Sequence, residues 1–243
     1  MEEYTKIAII SDIHANIYAL NRFLQYIDEN FSADVILNLG DAVSIGPHPK
    51  EVVQLILSDD RFINIAGNNE LIVLGQRKNE WHRGTGVHRE WVVEQLGKDL
   101  LDKIKQLPTS QILTIQNKKI LMLHSHFYDK PGRTIQDNIL LYQGKSMEEF
   151  INDYPKEVDI VLVGHSHEQL YLGTKKKIII NPGSISITWK PEISFCLMEV
   201  DGTKQNFNFK NIAYDPSELL KDYEQRKVAG REFLVKYFYP FLK

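Results

Sequence analysis

The chain has 243 residues, 43% hydrophobic and 25% charged, which is enough for one large core and predicts a single domain over residues 1–243. A formal charge of −3 and a pI near 6.2 lack the basic excess of a general nucleic-acid binder, so no stable nucleic-acid partner is expected. Its single cysteine excludes an internal disulfide and a thiolate-rich zinc site.

The amino terminus is acidic and leads into a short apolar run, without the basic start and long apolar stretch of a signal peptide. No segment approaches the roughly twenty apolar residues of a membrane span. A cytoplasmic protein that does not engage membranes is the expectation.

Residues 7–10 read as a short β-branched strand. Tyr18, Leu20, Phe23, Leu24 and Ile27 then recur at helical spacing behind Asn16, a candidate cap. Residues 35–39 resume the strand pattern, Pro47 and Pro49 introduce a second helix, and residues 62–66 give a third strand. Strands alternating with helices of this length imply βαβ units and parallel pairing. Residues 75–95 are basic, aromatic and glycine-punctuated, without strong periodicity before Trp91, and read as a surface insertion or cap. Residues 112–115 and 119–123 form a hairpin pattern, residues 128–144 are loop-rich, and residues 147–154 suggest a short helix. Residues 160–163 form another apolar strand, and Lys175, Lys176 and Lys177 read as a charged turn. Strands are predicted over 178–180, 194–200 and 207–210, with Cys196 as a buried thiol in the second of them. One final helix is expected over 216–238, packed on the domain or on a second copy in a homo-oligomer.

Polar residues stand where these apolar runs end. Asp12-Ile13-His14 follows the first strand, Asp41 the second, Asn68 the third, His124 the hairpin, and His165-Ser166-His167 the strand after it. The ends of parallel strands are where open α/β folds bind ligands. Asp12 and His14, like His165 and His167, are two positions apart, so each pair can bind one ion in a pincer fashion. Gly40 and Gly67 let the backbone approach closely at Asp41 and Asn68. Together these residues offer enough ligands for two adjacent cations. Mixed carboxylate, amide and imidazole donors suit manganese, iron(II) or zinc better than calcium or magnesium.

The series Ser11-Asp12-Ile13-His14, Leu39-Gly40-Asp41, Gly67-Asn68-Asn69-Glu70, His124 and Gly164-His165-Ser166-His167 resembles the five motifs of the calcineurin-like metallophosphoesterases. Asn181-Pro182-Gly183-Ser184 extends the similarity to compact bacterial members. The resemblance implies an α/β fold, a four-layer αββα sandwich of two mixed sheets flanked by helices. It assigns Asp12, His14 and His167 to one metal, Asn68, His124 and His165 to the other, and Asp41 to a bridge between them. Two divalent ions, Mn²⁺ or Fe²⁺ before Zn²⁺, are thereby implied, with water attack on a phosphoryl group and no protein nucleophile.

Relatives commonly carry histidine after the motif asparagine, as the group that protonates the leaving oxygen, whereas this chain has Asn69. An amide cannot donate that proton, which favours leaving groups that depart as stable anions. Asn68 is a catalytic candidate as a phosphate contact, and His126 is a candidate replacement acid. Trp81, Arg83, His88 and Arg89 are candidates for holding a base and distal phosphates beside Asn69. The expected function is a dinuclear-metal phosphohydrolase or phosphodiesterase acting on small phosphate esters or nucleotides, dinucleoside polyphosphates foremost. The alternatives are a cyclic-nucleotide or general phosphodiesterase, a serine/threonine protein phosphatase, and a non-catalytic binding scaffold of the same fold.

Overall fold

The computed structural model describes residues 4–78, 85–125, 151, 154–174 and 177–242. The expected alternation opens the chain. It runs β1 (Thr5–Ile10), α1 (Ile17–Asn30), β2 (Val35–Asn38), α2 (Pro49–Ser58), β3 (Phe62–Asn64) and α3 (Asn68–Val73). α4 (Thr85–Ile104) leads to the hairpin β4 (Ser110–Ile115) and β5 (Lys118–Leu123). β6 (Ile160–Leu162), β7 (Gln169–Gly173), β8 (Ile178–Pro182), β9 (Glu192–Val200) and β10 (Gln205–Ala213) follow, then α5 (Ser217–Gln225) and α6 (Arg231–Phe238).

The strands form two five-stranded mixed sheets, ordered β10-β9-β1-β2-β3 and β4-β5-β6-β8-β7. In the first, β1, β2 and β3 are parallel and β9 runs antiparallel to β1. In the second, β5, β6 and β8 are parallel. Alternate residues of a strand point to opposite faces, and the burial follows that rule. Ile7, Ile9 and Leu37 pack against Ile120, Met122, Ile160 and Ile180 between the sheets, together with the buried thiol of Cys196. Ala8, Ile10 and Ile36 face the other way, onto Ala19, Leu20, Phe23 and Ile27 of α1. The outer face of the second sheet packs Leu121, Val161 and Ile179 against Ile151, Tyr154 and Val158. These layers make a calcineurin-like sandwich with both sheets central, and the parallel strands of each sheet end toward the polar residues singled out above.

Three departures from the sequence reading have local causes. The helix predicted over 216–238 is two helices, because Gly230 turns the chain at φ 78 and Val228 folds inward beside Ile45 and Tyr223. The stretch expected to lack periodicity before Trp91 is helical from Thr85. Val92, Leu96, Leu100 and Ile104 of that helix bury against Val43, Val53 and Val73, with a break at Gly97 (φ 66). Lys177 is no exposed turn residue: its ammonium donates to the carbonyls of Tyr154 and Pro155. Lys175, Lys176 and residues 128–144 lie outside the described residues, as does nearly all of the helix expected over 147–154. No helix among the described residues is long and apolar enough to cross a membrane.

Candidate metal centre

Five of the seven candidate ligands have a backbone conformation that L-residues rarely adopt. Asp12 (φ 57), His14 (φ 47), Asp41 (φ 54), His165 (φ 69) and His167 (φ 62) all lie in the left-handed region. Non-glycine residues there are strained and concentrate at functional sites. The strain is held by hydrogen bonds between the strand-exit loops, from Asp12 N–H to Gly40 O (3.0 Å) and from His14 N–H to Asp41 O (2.9 Å). His165 N–H donates to Asp12 Oδ2 at 2.9 Å, which ties the two sheets together at the site.

The side chains fall into two groups, Asp12 with His14 and His167, and Asp41 with His124 and His165, each with its potential ligand atoms within 4.8 Å of one another. In the first, Nε2 of His14 and Nε2 of His167 lie 3.2 Å apart. Asp12 Oδ1 is 3.5 Å from the former and 3.2 Å from the latter. That oxygen is buried and has no hydrogen-bond partner among the described residues. Two imidazole nitrogens and a carboxylate oxygen converging in this way carry more lone pairs than protons, an arrangement that a divalent cation completes.

In the second group, His124 Nδ1–H donates to Leu39 O at 2.9 Å, which turns Nε2 toward Asp41 Oδ2 (3.3 Å) and Asn68 Oδ1 (2.9 Å). An outer hydrogen bond that fixes the tautomer in this way is characteristic of metal-binding histidines. Asn68 is the first residue of α3, and Gly67 before it has space for no side chain: a Cβ there would meet Asp41 Oδ1 at 2.3 Å and His124 Nδ1 at 2.9 Å.

Charge in the cluster suits cation binding. Burial alone would raise the Asp12 carboxyl, but His167 and His14 hold it well below the usual carboxylate range. Burial likewise opposes ionisation of Asp41, yet His124 brings it down to about 2. Burial disfavours protonation of His124, but Asp41 raises it to about 9. For His165, burial and the neighbouring His124 act together and lower the imidazole to about 4. Two ionised carboxylates and the neutral imidazole of His165 are ready donors, and a divalent ion binding at His124 would displace the proton that Asp41 holds there.

The structure therefore brings together all seven residues singled out as ligands. It places Asn69 against Asp41, with the backbone N–H on Oδ1 at 2.7 Å and the side-chain amide on Oδ2 at 2.5 Å. His88 and Arg89, expected to face a substrate, point elsewhere. His88 is buried, accepts from Ile45 N–H (2.8 Å) and donates from Nδ1 to Ala229 O (3.1 Å). Arg89 caps the end of α3 at Ile72 O (2.7 Å) and Val73 O (2.9 Å). His126, Trp81 and Arg83 lie outside the described residues.

Sequence reasoning gave no role to Glu70. Its carboxylate accepts four backbone N–H groups, from Asp41 (2.9 Å), Ala42 (2.8 Å), Val43 (3.1 Å) and Gly67 (2.6 Å). Those bonds splice the loop of Asp41 to the start of α3. An acidic residue three positions after Gly67, ahead of the apolar run Leu71-Ile72-Val73, was its one visible signal.

The sandwich and its paired ligand groups define a metal-dependent phosphoesterase. Residues 5–203 match the calcineurin-like phosphoesterase superfamily domain, and the chain belongs to that superfamily. It is 31% identical over 191 residues to the uncharacterized protein MJ0912 of Methanocaldococcus jannaschii, covering 74% of this chain and 75% of that one. It is also 24% identical over 197 residues to serine/threonine-protein phosphatase 2 of Escherichia coli, covering 74% of this chain and 88% of the relative. In fold it is similar to a metallophosphoesterase from Sphaerobacter thermophilus, with a TM-score of 0.74 at 21% identity over 97% of this chain and 98% of the other.

Proposed function

We propose that this phosphoesterase hydrolyses nucleotide phosphoanhydrides or phosphodiesters, with dinucleoside polyphosphates as the leading substrate class. Two divalent ions, bound by Asp12, His14 and His167 and by Asn68, His124 and His165 with Asp41 between them, would polarise the phosphoryl group and supply an acidified water. Manganese or iron(II) suits these donors.

The observation that carries the substrate class is the engagement of Asn69 with Asp41. An amide has no dissociable proton near neutral pH, and this one already donates to a buried carboxylate. It orients Asp41 and leaves the departing oxygen without an acid at this position. A nucleotide phosphate leaves as an anion with a second pKa near roughly 6. An alkoxide without a proton leaves many powers of ten more slowly. Anhydrides and activated diesters are the substrates that such a site turns over well.

The test is the initial rate of manganese-loaded protein on diadenosine tetraphosphate, a cyclic nucleotide, an aryl diester and an alkyl monoester. Preferential cleavage of the anhydride is expected. Equal rates on the alkyl monoester would show that another group supplies the proton, and inactivity on all four would favour a binding scaffold. The Escherichia coli relative supports a second reading, a protein phosphatase. That reading requires turnover of a phosphoserine peptide, an alkyl monoester, faster than of the anhydride.

A further inference from the structure

Beside the ligand cluster lies a cleft of about 500 Å³ whose wall includes His167, a member of the first ligand group. Trp189, Lys190, Glu168 and Tyr237 line it as well. We propose that this cleft is the subsite for the planar base of a nucleotide substrate, with Trp189 as its stacking face and Tyr237 as a second aromatic wall. The assignment rests on the nucleotide-hydrolase reading of the adjoining site.

Trp189 is 85% exposed and Tyr237 59% exposed, although each has a large apolar ring. Aromatic surface left in water beside a catalytic cluster is surface available to a ligand. The tryptophan sits on a tied turn. Thr188 Oγ1 bonds the carbonyls of Lys190 (2.5 Å) and Glu192 (3.0 Å), and Glu192 N–H returns to Lys190 O at 2.7 Å. The turn is in turn fastened to the ligand backbone. Ser184 Oγ donates to Asp12 O at 2.9 Å and accepts from Ile187 N–H at 2.7 Å. With the turn already tied, the backbone that carries the stacking residue need not be ordered on binding.

Continuity with the ligand cluster decides the occupant. Since His167 belongs to both, a phosphoryl group among the ligands and a ring in the cleft can be parts of one small molecule. The volume lies within the usual range of roughly 300 to 1,000 Å³ for such sites. Gln169 and Asn211 in the lining are bound to each other and to Phe195 O, Lys210 O and Ser194, so they brace the floor of the cleft and leave recognition to its aromatic faces. Every base has a π-face, so stacking here gives affinity for nucleotides as a class.

The experiment is calorimetric titration of manganese-loaded wild type, Trp189→Ala and Trp189→Phe with adenosine monophosphate and with ribose 5-phosphate, which keeps the phosphate and lacks the base. Wild type should bind the nucleotide at least about fivefold more tightly than the sugar phosphate. Trp189→Ala should erase that ratio, and Trp189→Phe should retain most of it. Equal affinities in wild type, or a ratio that survives in Trp189→Ala, would overturn the subsite. A Trp189-dependent ratio without cleavage of diadenosine tetraphosphate, the cyclic nucleotide, the aryl diester or the alkyl monoester would uphold the subsite and overturn the hydrolase reading on which its substrate was named.

Discussion

Asn69 grips Asp41 at both carboxylate oxygens, through its backbone N–H on one and its side-chain amide on the other. Asn69→Ala removes the side-chain half of that grip. Loss of an outer partner of a ligating carboxylate typically costs about 10- to 100-fold in metal affinity or activity. We expect a drop of that order in a competitive manganese titration. Asn69→His should raise the rate on alkyl esters more than on anhydrides, and a uniform change on both would show that position 69 takes no part in proton transfer.

Glu70 is the keystone of the Asp41 loop. In Glu70→Gln one oxygen becomes an NH₂ group and faces two backbone N–H donors that it cannot accept from. Buried donors left unpaired should lower stability by about 3 kcal/mol. Urea denaturation should show the midpoint falling at constant slope, and an unchanged midpoint would mean that the loop is held by other contacts.

His88 should make stability depend on acid. Burial pushes its imidazole down to about 4, and protonation would remove the acceptor of Ile45 N–H. In the unfolded chain a histidine titrates near roughly 6.5. The neutral form therefore contributes fully above that pH, and its contribution is lost as pH falls from about 6.5 to about 4, to a total on the order of 3 kcal/mol. Wild type should exceed His88→Gln in stability at pH 7.5 and lose about 2 kcal/mol of that margin by pH 4.5. A margin independent of pH would show that His88 keeps the same protonation in both states.

At Gly67 no other residue fits. The Cβ of Gly67→Ala would meet Asp41 Oδ1 at 2.3 Å and Asp41 N at 2.5 Å, so the carboxylate must move. Activity and metal affinity should fall by at least about tenfold, the cost expected when a ligand loses its orientation. Asp41→Ala, which creates no clash, should abolish turnover while retaining the circular dichroism of the fold. Full turnover by Asp41→Ala would refute a shared role for this carboxylate.

The first βαβαβ run was legible because the period of its apolar residues switches cleanly between that of strand and helix. The clustering of the candidate ligands was legible because Asp, Asn and His stand directly where those apolar runs end. β7 was missed because Gln169–Gly173 is short, its apolar run is only Leu170-Tyr171-Leu172, and most of it is partly exposed. His88 was misread for another reason. Its partners, Ile45 and Ala229, lie 43 and 141 residues away in sequence, so a basic-looking local stretch concealed a buried brace. The orientation of Glu70 toward the Asp41 loop depends on the same kind of distant contact. Local pattern encodes where a side chain leaves a strand, and tertiary packing decides which backbone it meets.

The two ligand groups each draw on both sheets. Asp12 and His14 leave β1 while His167 follows β6, and Asp41 follows β2 while His124 follows β5. A cation in either group is thus a clasp across the sandwich, and its affinity includes the energy of holding one sheet in register with the other. Sliding of the sheets past each other loosens both clasps together, so the metal content of the protein serves as a gauge of its inter-sheet alignment.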